Sequence, residues 1–232
     1  MSKLKWGQSG AKVYETGVDR GVLYIPDEDG EYSTGVAWSG LTTVTEAPSG
    51  AESNKQYADN GVYVNLVSAE EFGATIEAFT SPVEFEQFDG TAQPTPGVFV
   101  TQQMRKSFGF SYRTLIGNDL ESTAHGYKLH LVYNATAAPS EKARATINES
   151  PEAMGLSWEL TTTPVEVGMV GTVEYKPTAH LFIDSRTADP DVLADLEAIL
   201  YGTDATTEPV APATVASMPS PAEVIAMFEA AV

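Results

Sequence analysis

Three histidines, at positions 125, 130 and 180, have the widest chemical repertoire in this chain. An imidazole titrates near neutrality and ligates metals through either nitrogen. None of the three stands in an H-E-x-x-H pair or a comparable helical spacing, so no zinc-hydrolase site is expected from them. His130 and His180 fall in alternating stretches that read as strands, and a structural or surface role is expected for both. No serine sits in a G-x-S-x-G elbow. Neither a Walker loop nor a dinucleotide fingerprint occurs. The chain holds 32 Asp and Glu, so some carboxylates are neighbours by number alone, and no motif points to a two-carboxylate hydrolase. Asp27–Glu28–Asp29–Gly30–Glu31 has the look of a calcium loop but lacks the third Asp/Asn and the terminal Glu at the needed spacing, and reads as an acidic hairpin turn. Without cysteine there is no disulfide, no thiolate nucleophile and no Cys-based zinc or iron–sulfur site. The expectation is a non-enzymatic chain with no catalytic residue, cofactor or metal.

Charge narrows the partners. Lys and Arg total 13, the formal net charge is −19, and such a balance repels nucleic-acid phosphates. Duplex binding runs through Lys and Arg displacing counterions, and that footprint is missing. Residues 70–89 hold Glu70, Glu71, Glu77, Glu84, Glu86 and Asp89 with no base between them. Residues 105–144 hold Arg105, Lys106, Arg113, Lys128, Lys142 and Arg144. Each set reads either as a solvated face or as one of two complementary faces that meet when copies stack. Met1 to Gly10 carries two lysines but no apolar h-region, so no signal peptide is expected. No apolar run reaches the length of a membrane span. The sequons at Asn134 and Asn148 read as chance.

The elements that position these groups are read from hydrophobic periodicity. Alternation with period two dominates and predicts strands. Phe72, Ala74, Ile76 and Ala78 alternate with Gly73, Thr75 and Glu77; Phe108, Phe110 and Tyr112 alternate with Gly109 and Ser111. The same pattern holds for Tyr127, Leu129, Leu131 and Tyr133, for Met154, Leu156, Trp158 and Leu160, and for Ala179, Leu181 and Ile183. Further strands are predicted near 21–25, 36–44, 62–67 and 98–100. Turn clusters such as Asp59–Asn60–Gly61 and Glu149–Ser150–Pro151 divide them. Many short strands predict a mainly β chain, a sandwich or barrel with one buried face and a second face free for water or a partner. A helix is predicted after Asp189 as N-cap and Pro190, with Val192, Leu193, Leu196, Ile199 and Leu200 as its stripe and Gly202 closing it. Residues 203–219 read as a linker. Ser220–Pro221–Ala222–Glu223 is a capping box that starts a short amphipathic helix bearing Val224, Ile225, Met227 and Phe228. Alone that helix is marginal, so it must dock on its own domain or on a neighbouring copy. The division is therefore 1–202 as the β domain with an N-terminal arm, and 203–232 as linker and terminal helix.

Several stretches resemble the major tail proteins, or tail tube proteins, of siphophages infecting actinobacteria. They run from Lys5–Trp6–Gly7 to Gly21–Val22–Leu23–Tyr24; through Gly35–Val36–Ala37–Trp38–Ser39–Gly40–Leu41; through Ser68–Ala69–Glu70–Glu71–Phe72–Gly73; through Ala145–Thr146–Ile147 and Ser157–Trp158–Glu159; and through Lys176–Pro177–Thr178–Ala179–His180 to Leu200–Tyr201–Gly202–Thr203. The resemblance spans about residues 5 to 203. It implies a tail-tube β-sandwich or barrel with a flanking α-helix and a C-terminal arm ending in a short helix. It also implies homo-hexameric rings that stack into the conduit for DNA ejection. Tape-measure, tail-terminator and distal tail proteins would be partners, in a virion tail assembled in the host cytoplasm with no membrane contact. Interface candidates are Trp6 and Tyr14 on the N-terminal arm, Arg105 and Lys106, and Val224, Ile225, Met227 and Phe228. An acidic lumen offers DNA no phosphate site, and Glu70, Glu71, Glu77, Glu84, Glu86 and Asp89 are the candidates to line it. The competing expectation is an extracellular β-sandwich, adhesin-like, whose loop Tyr and Trp bind glycans.

Overall fold

The computed structural model describes residues 3–230 apart from 148, 151, 208 and 209. The sequon residue Asn148 and the turn residue Pro151 lie outside the described residues. In chain order the strands are β1 (Tyr14–Ile25), β2 (Thr34–Trp38), β3 (Leu41–Glu46), β4 (Ser49–Gly50), β5 (Ser53–Ala58), β6 (Gly61–Val67), β7 (Glu70–Glu71) and β8 (Gly73–Ala78). A 3-10 turn at Val83–Gln87 precedes β9 (Ala92–Thr95), β10 (Val98–Val100), β11 (Phe108–Asn118), β12 (Ser122–Ala137), β13 (Leu156–Thr162), β14 (Gly168–Val170), β15 (Val173–Tyr175) and β16 (His180–Asp184). Helix α1 (Pro190–Tyr201), the short β17 (Thr206–Thr207) and β18 (Val210–Ala211), and helix α2 (Pro221–Glu229) complete the chain. The fold is mainly β, as the alternation predicts. None of the described helices is long and apolar enough to cross a membrane.

One antiparallel sheet of eight strands organises the molecule, in the order β2-β1-β11-β12-β13-β8-β3, with β16 also paired to β12. Its first and last strands are consecutive in sequence and meet at the Ser39–Gly40 corner, where Gly40 takes a φ of 83°. That corner rolls the sheet toward a barrel. The single strand predicted near 36–44 is therefore two strands serving opposite borders. Leu41 then lies over Gly21, where a Cβ would come within 2.4 Å of it.

Inside the roll, Leu23 stands beside Phe110, and Phe110 beside Val132, on three neighbouring strands. Trp38, Ile76, Phe108, Trp158 and Leu160 join them. The 3-10 turn adds Phe85, whose ring centroid lies 4.6 Å from that of Trp38 and 5.2 Å from that of Trp158. Trp38 donates its indole N–H to the Thr80 carbonyl at 2.8 Å. The buried Trp158 indole N–H has no hydrogen-bond partner among the described residues.

The outer face of β1, β11, β12 and β16 carries a second core of Val22, Tyr24, Leu129, Leu131, Tyr133 and Ile183 beneath α1 and α2. Of the two expectations for that second face, water or a partner, the chain's own helices supply the partner. The reason is a size match: inside, β11 presents Phe108, Phe110 and Tyr112, while on its outer face Gly109 and Ser111 leave room. A Cβ at Gly109 would stand 2.4 Å from Met218, and the Tyr24 hydroxyl lies 3.2 Å from that of Ser111. The helix caps are those read from sequence. The Asp189 carboxylate accepts from the N–H groups of Asp191 and Val192, and Ser220 with Glu223 forms the capping box.

The segment read as a linker is pinned over its second half. Gly35 N–H donates to Ala216 O at 2.7 Å, Ser217 N–H to Ile199 O at 2.9 Å, and Met218 N–H to Tyr32 O at 3.0 Å. These bonds partly cover the border of β2 and seat α2 on its own domain.

The orphan indole N–H generates a test. Trp158→Phe removes an unsatisfied donor while keeping most of the ring, and is expected to cost less than about 1.5 kcal/mol. Trp158→Ala opens a cavity and is expected to cost about 3–5 kcal/mol. Urea unfolding followed by circular dichroism measures both, and equal losses would contradict the packing described.

Candidate assembly surfaces

Strands β5 and β6 form a ribbon joined by Asp59 and Asn60, with φ of 51° and 62°. Positive φ at both central positions is the type I′ geometry that matches strand twist. The ribbon continues toward the body through β4 and β7, where Ser49 pairs with Glu71 and Gly50 with Glu70. At about 3.3 Å per residue it reaches about 30 Å. Every residue of β5 and β6 is exposed, so no other element covers either face. Yet it carries Tyr57, Val62, Tyr63, Val64, Leu66 and Val67, with Tyr63 at 75% exposure. Two strands alone are marginal in water, and an apolar ribbon of this kind marks a contact surface. The sequence pattern finds β6 but not its projection, because Ser53–Asn54–Lys55–Gln56 shows no apolar alternation.

Residues 3–13 carry no regular structure and leave Leu4 and Trp6 exposed, Trp6 at 82%. Tyr14 does not belong to that arm. It starts β1, pairs with Gly117, and packs so closely that a Cβ at Gly117 would stand 2.5 Å from its ring. The terminal helix is also no free arm. Val224 is 1% exposed, and Met227 and Phe228 pack on the second core, while Ile225 is half-buried. These three apolar side chains serve their own domain because the pinned segment before them sets the helix down there.

The charges sort differently from their order in sequence. Asp89 is not a free acid: its side chain is 7% exposed and lies between Arg105, at 3.2 Å, and Lys142. Arg105 also donates to the Ala137 carbonyl at 2.9 Å. Arg113 binds Asp19 through two hydrogen bonds of 2.8 and 2.6 Å, and Lys128 binds Glu15 at 2.5 Å. The bases of 105–144 are thus largely neutralised within the chain, with Lys106 exposed near Gln87. The acids of 70–89 do not form one face. Glu70 and Glu71 sit at the base of the ribbon, Glu84 and Glu86 on the 3-10 turn, and Glu77 on β8.

Glu77 belongs instead to a surface that sequence spacing hides. On β3, β8 and β13 the residues turned from the core are Thr43, Thr45, Thr75, Glu77, Ser157, Glu159 and Thr161. The register sets Glu77 between Thr43 and Ser157, and Thr75 between Thr45 and Glu159. This grid of hydroxyls and carboxylates contains no base.

His130 and His180, separated by 50 residues, meet at the mouth of the roll, 3.1 Å apart between Nδ1 and Nε2. Glu46 Oε1 stands 3.4 Å from His130 Nδ1 and accepts from the Tyr112 hydroxyl at 2.7 Å. Burial, reinforced by the charge of His180, pushes His130 down to about 4, and burial lowers His180 as well. Burial alone would raise Glu15; hydrogen bonds from Lys128 and Thr114 outweigh it and hold its carboxyl below the ordinary range. The sequence pattern gives no signal for this cluster, since only the pairing of β12 with β16 and the reach of β3 bring the three side chains together. His125, the third histidine, binds Glu121 at 2.6 Å on the surface.

No family model matches the chain, and no curated protein matches it. Among solved structures, a chain in the cryo-EM structure of the anti-feeding prophage (AFP) baseplate, 6-fold symmetrised, is 9% identical over 79% of this chain and 97% of that one, with a TM-score of 0.35. A chain of the PVC sheath-tube complex of an extracellular contractile injection system in the extended state is 11% identical over 71% and 88%, with a TM-score of 0.32. At these scores the backbones diverge over much of their length, and neither likeness bears on what this chain does.

The buried ion pair generates the second test. Arg105→Ala leaves Asp89 with Lys142 alone and is expected to cost about 3 kcal/mol. Lys12→Ala breaks an exposed 3.9 Å pair with Asp119 and is expected to cost less than about 1 kcal/mol. Denaturant unfolding compares the two, and an Arg105 variant as stable as the Lys12 variant would place Asp89 in water.

Proposed function

We propose that this chain is a structural, non-enzymatic subunit of a viral tail tube that assembles with copies of itself into stacked rings. The β5–β6 ribbon is the observation that carries the reading: about 20 Å of strand pair with six large apolar side chains and no cover from its own domain. Such a ribbon fits a neighbouring copy, which buries its side chains and offers sheet borders for pairing. Among the described residues the first half of β1 makes a strand ladder only with β11, since β2 pairs with residues 21–25, and that unladdered edge is the one offered to a sister chain. A repeated head-to-tail contact closes into a ring, with no unpaired end, when the rotation from copy to copy completes a full turn. The resemblance to siphophage tail tube proteins supports the same architecture and six copies per ring.

In this reading the base-free grid of Glu77, Glu159 and the surrounding Thr and Ser lines the bore. Carboxylates and hydroxyls there release no counterions from DNA, so the genome passes without being held. Tape-measure, tail-terminator and distal tail proteins would meet the ends of the tube.

Negative-stain electron microscopy of concentrated protein tests the reading. Rings or tubes of uniform bore are expected from the natural sequence. Tyr63→Ser with Leu66→Ser, on the exposed ribbon, is expected to abolish them while leaving the unfolding midpoint unchanged. A chain that stays monomeric at every concentration, even with the tail's initiator complex added, would refute the proposal.

A further inference from the structure

Glu46 ends β3, His130 lies in mid-β12 and His180 opens β16, so three strands each deliver one metal-ligating side chain to a single point. We propose that these three side chains bind a divalent cation of the zinc type. Their ligand atoms all lie within 4.8 Å of one another. The spacings of 3.1 Å from His130 Nδ1 to His180 Nε2 and 3.4 Å from Nδ1 to Glu46 Oε1 match the edge of a coordination tetrahedron. Bonds of about 2.0–2.1 Å put tetrahedral ligands about 3.3 Å apart.

The hydrogen-bond chain behind His130 selects the ligating form. The Thr114 hydroxyl donates to Glu15 Oε1 at 2.5 Å, which leaves its oxygen to accept from His130 Nε2 at 3.2 Å. The proton therefore resides on Nε2, and Nδ1 turns a bare lone pair toward His180 and Glu46. A hydrogen-bonded far nitrogen is the usual support of a ligating histidine. Aromatic faces hold both rings: Tyr112 stacks on His130 at 4.5 Å, and Phe72 on His180 at 4.4 Å. The Tyr112 hydroxyl fixes Glu46 in the same way. Without the cation, His180 Nε2–H donates across the gap to His130 Nδ1, the ring planes lying within 6°. The cation replaces that shared proton once each ring turns enough for the lone pairs to converge.

Two imidazole nitrogens and one carboxylate suit zinc and its spectroscopic stand-in cobalt, whereas calcium and magnesium take oxygen ligands. The Glu46 side chain is 40% exposed, so the fourth position faces water. Bound there, the cation ties the end of β3 to the junction of β12 and β16. The site does not depend on assembly and stands apart from the tail-tube reading.

Cobalt(II) chloride titrated into the full chain tests the proposal. One equivalent is expected to give the intense visible bands of tetrahedral cobalt, displaced by zinc, and zinc is expected to raise the melting temperature. Glu46→Gln and His180→Asn are each expected to weaken cobalt binding at least tenfold, while Glu77→Gln leaves it unchanged. Pale octahedral bands, no bands, or bands that survive both Glu46→Gln and His180→Asn would overturn the site. The wild-type titration decides even if one variant fails to fold.

Discussion

Strand β11 from Phe108 to Tyr112 and strand β12 from Leu129 to Tyr133 are covered on both faces, so the side chains there must match their neighbours in size. The alternation of Phe108, Phe110 and Tyr112 with Gly109 and Ser111 meets that demand. Large rings fill the interior of the roll, and small residues on the other face admit Met218 and the Tyr24 hydroxyl. Two cores result, one inside the curled sheet and one beneath the helices. Both are complete within one chain, and neither draws on β5 or β6. The ribbon is left with apolar side chains that no third layer reaches.

The charges give that ribbon a setting. Arg105, Arg113, Lys128 and Lys142 are engaged by Asp89, Asp19 and Glu15, so much of the basic charge is neutralised inside the molecule. With a net charge of −19, copies repel one another at long range. Only contacts that bury a good deal of apolar surface would overcome such repulsion, and the ribbon and the segment bearing Trp6 are exposed apolar surfaces of that kind in the proposed assembly. The same acid excess leaves the Glu77–Glu159 face without a base.

Much of the fold was legible in sequence because its signals are local. Asp189, Pro190 and Gly202 bound α1 through caps that act within a turn, and Ser220 with Glu223 does the same for α2. Alternation located β8, β11, β12, β13 and β16. What sequence spacing missed depends on residues distant along the chain. Asp89 looks unopposed among its neighbours, yet Arg105 and Lys142 reach it from elsewhere. Glu77 and Glu159 become surface neighbours only through the β8–β13 register. Val224 reads as an anchor for either its own domain or a neighbouring copy until the Gly35–Ala216 and Tyr32–Met218 hydrogen bonds fix where its helix lands. His130 and His180 read as two bland strand residues, and only strand pairing makes them one cluster with Glu46.

The central claim is that the ribbon is completed by a second copy of the chain. Hydrogen–deuterium exchange of dilute protein and of sedimented protein at high concentration tests it most directly, because amide protection reports local opening and cover. The account predicts fast exchange at residues 53–67 in dilute protein, strong protection of the same amides in the concentrated sample, and protected β11 and β12 in both. Equal exchange of residues 53–67 in the two samples would contradict it.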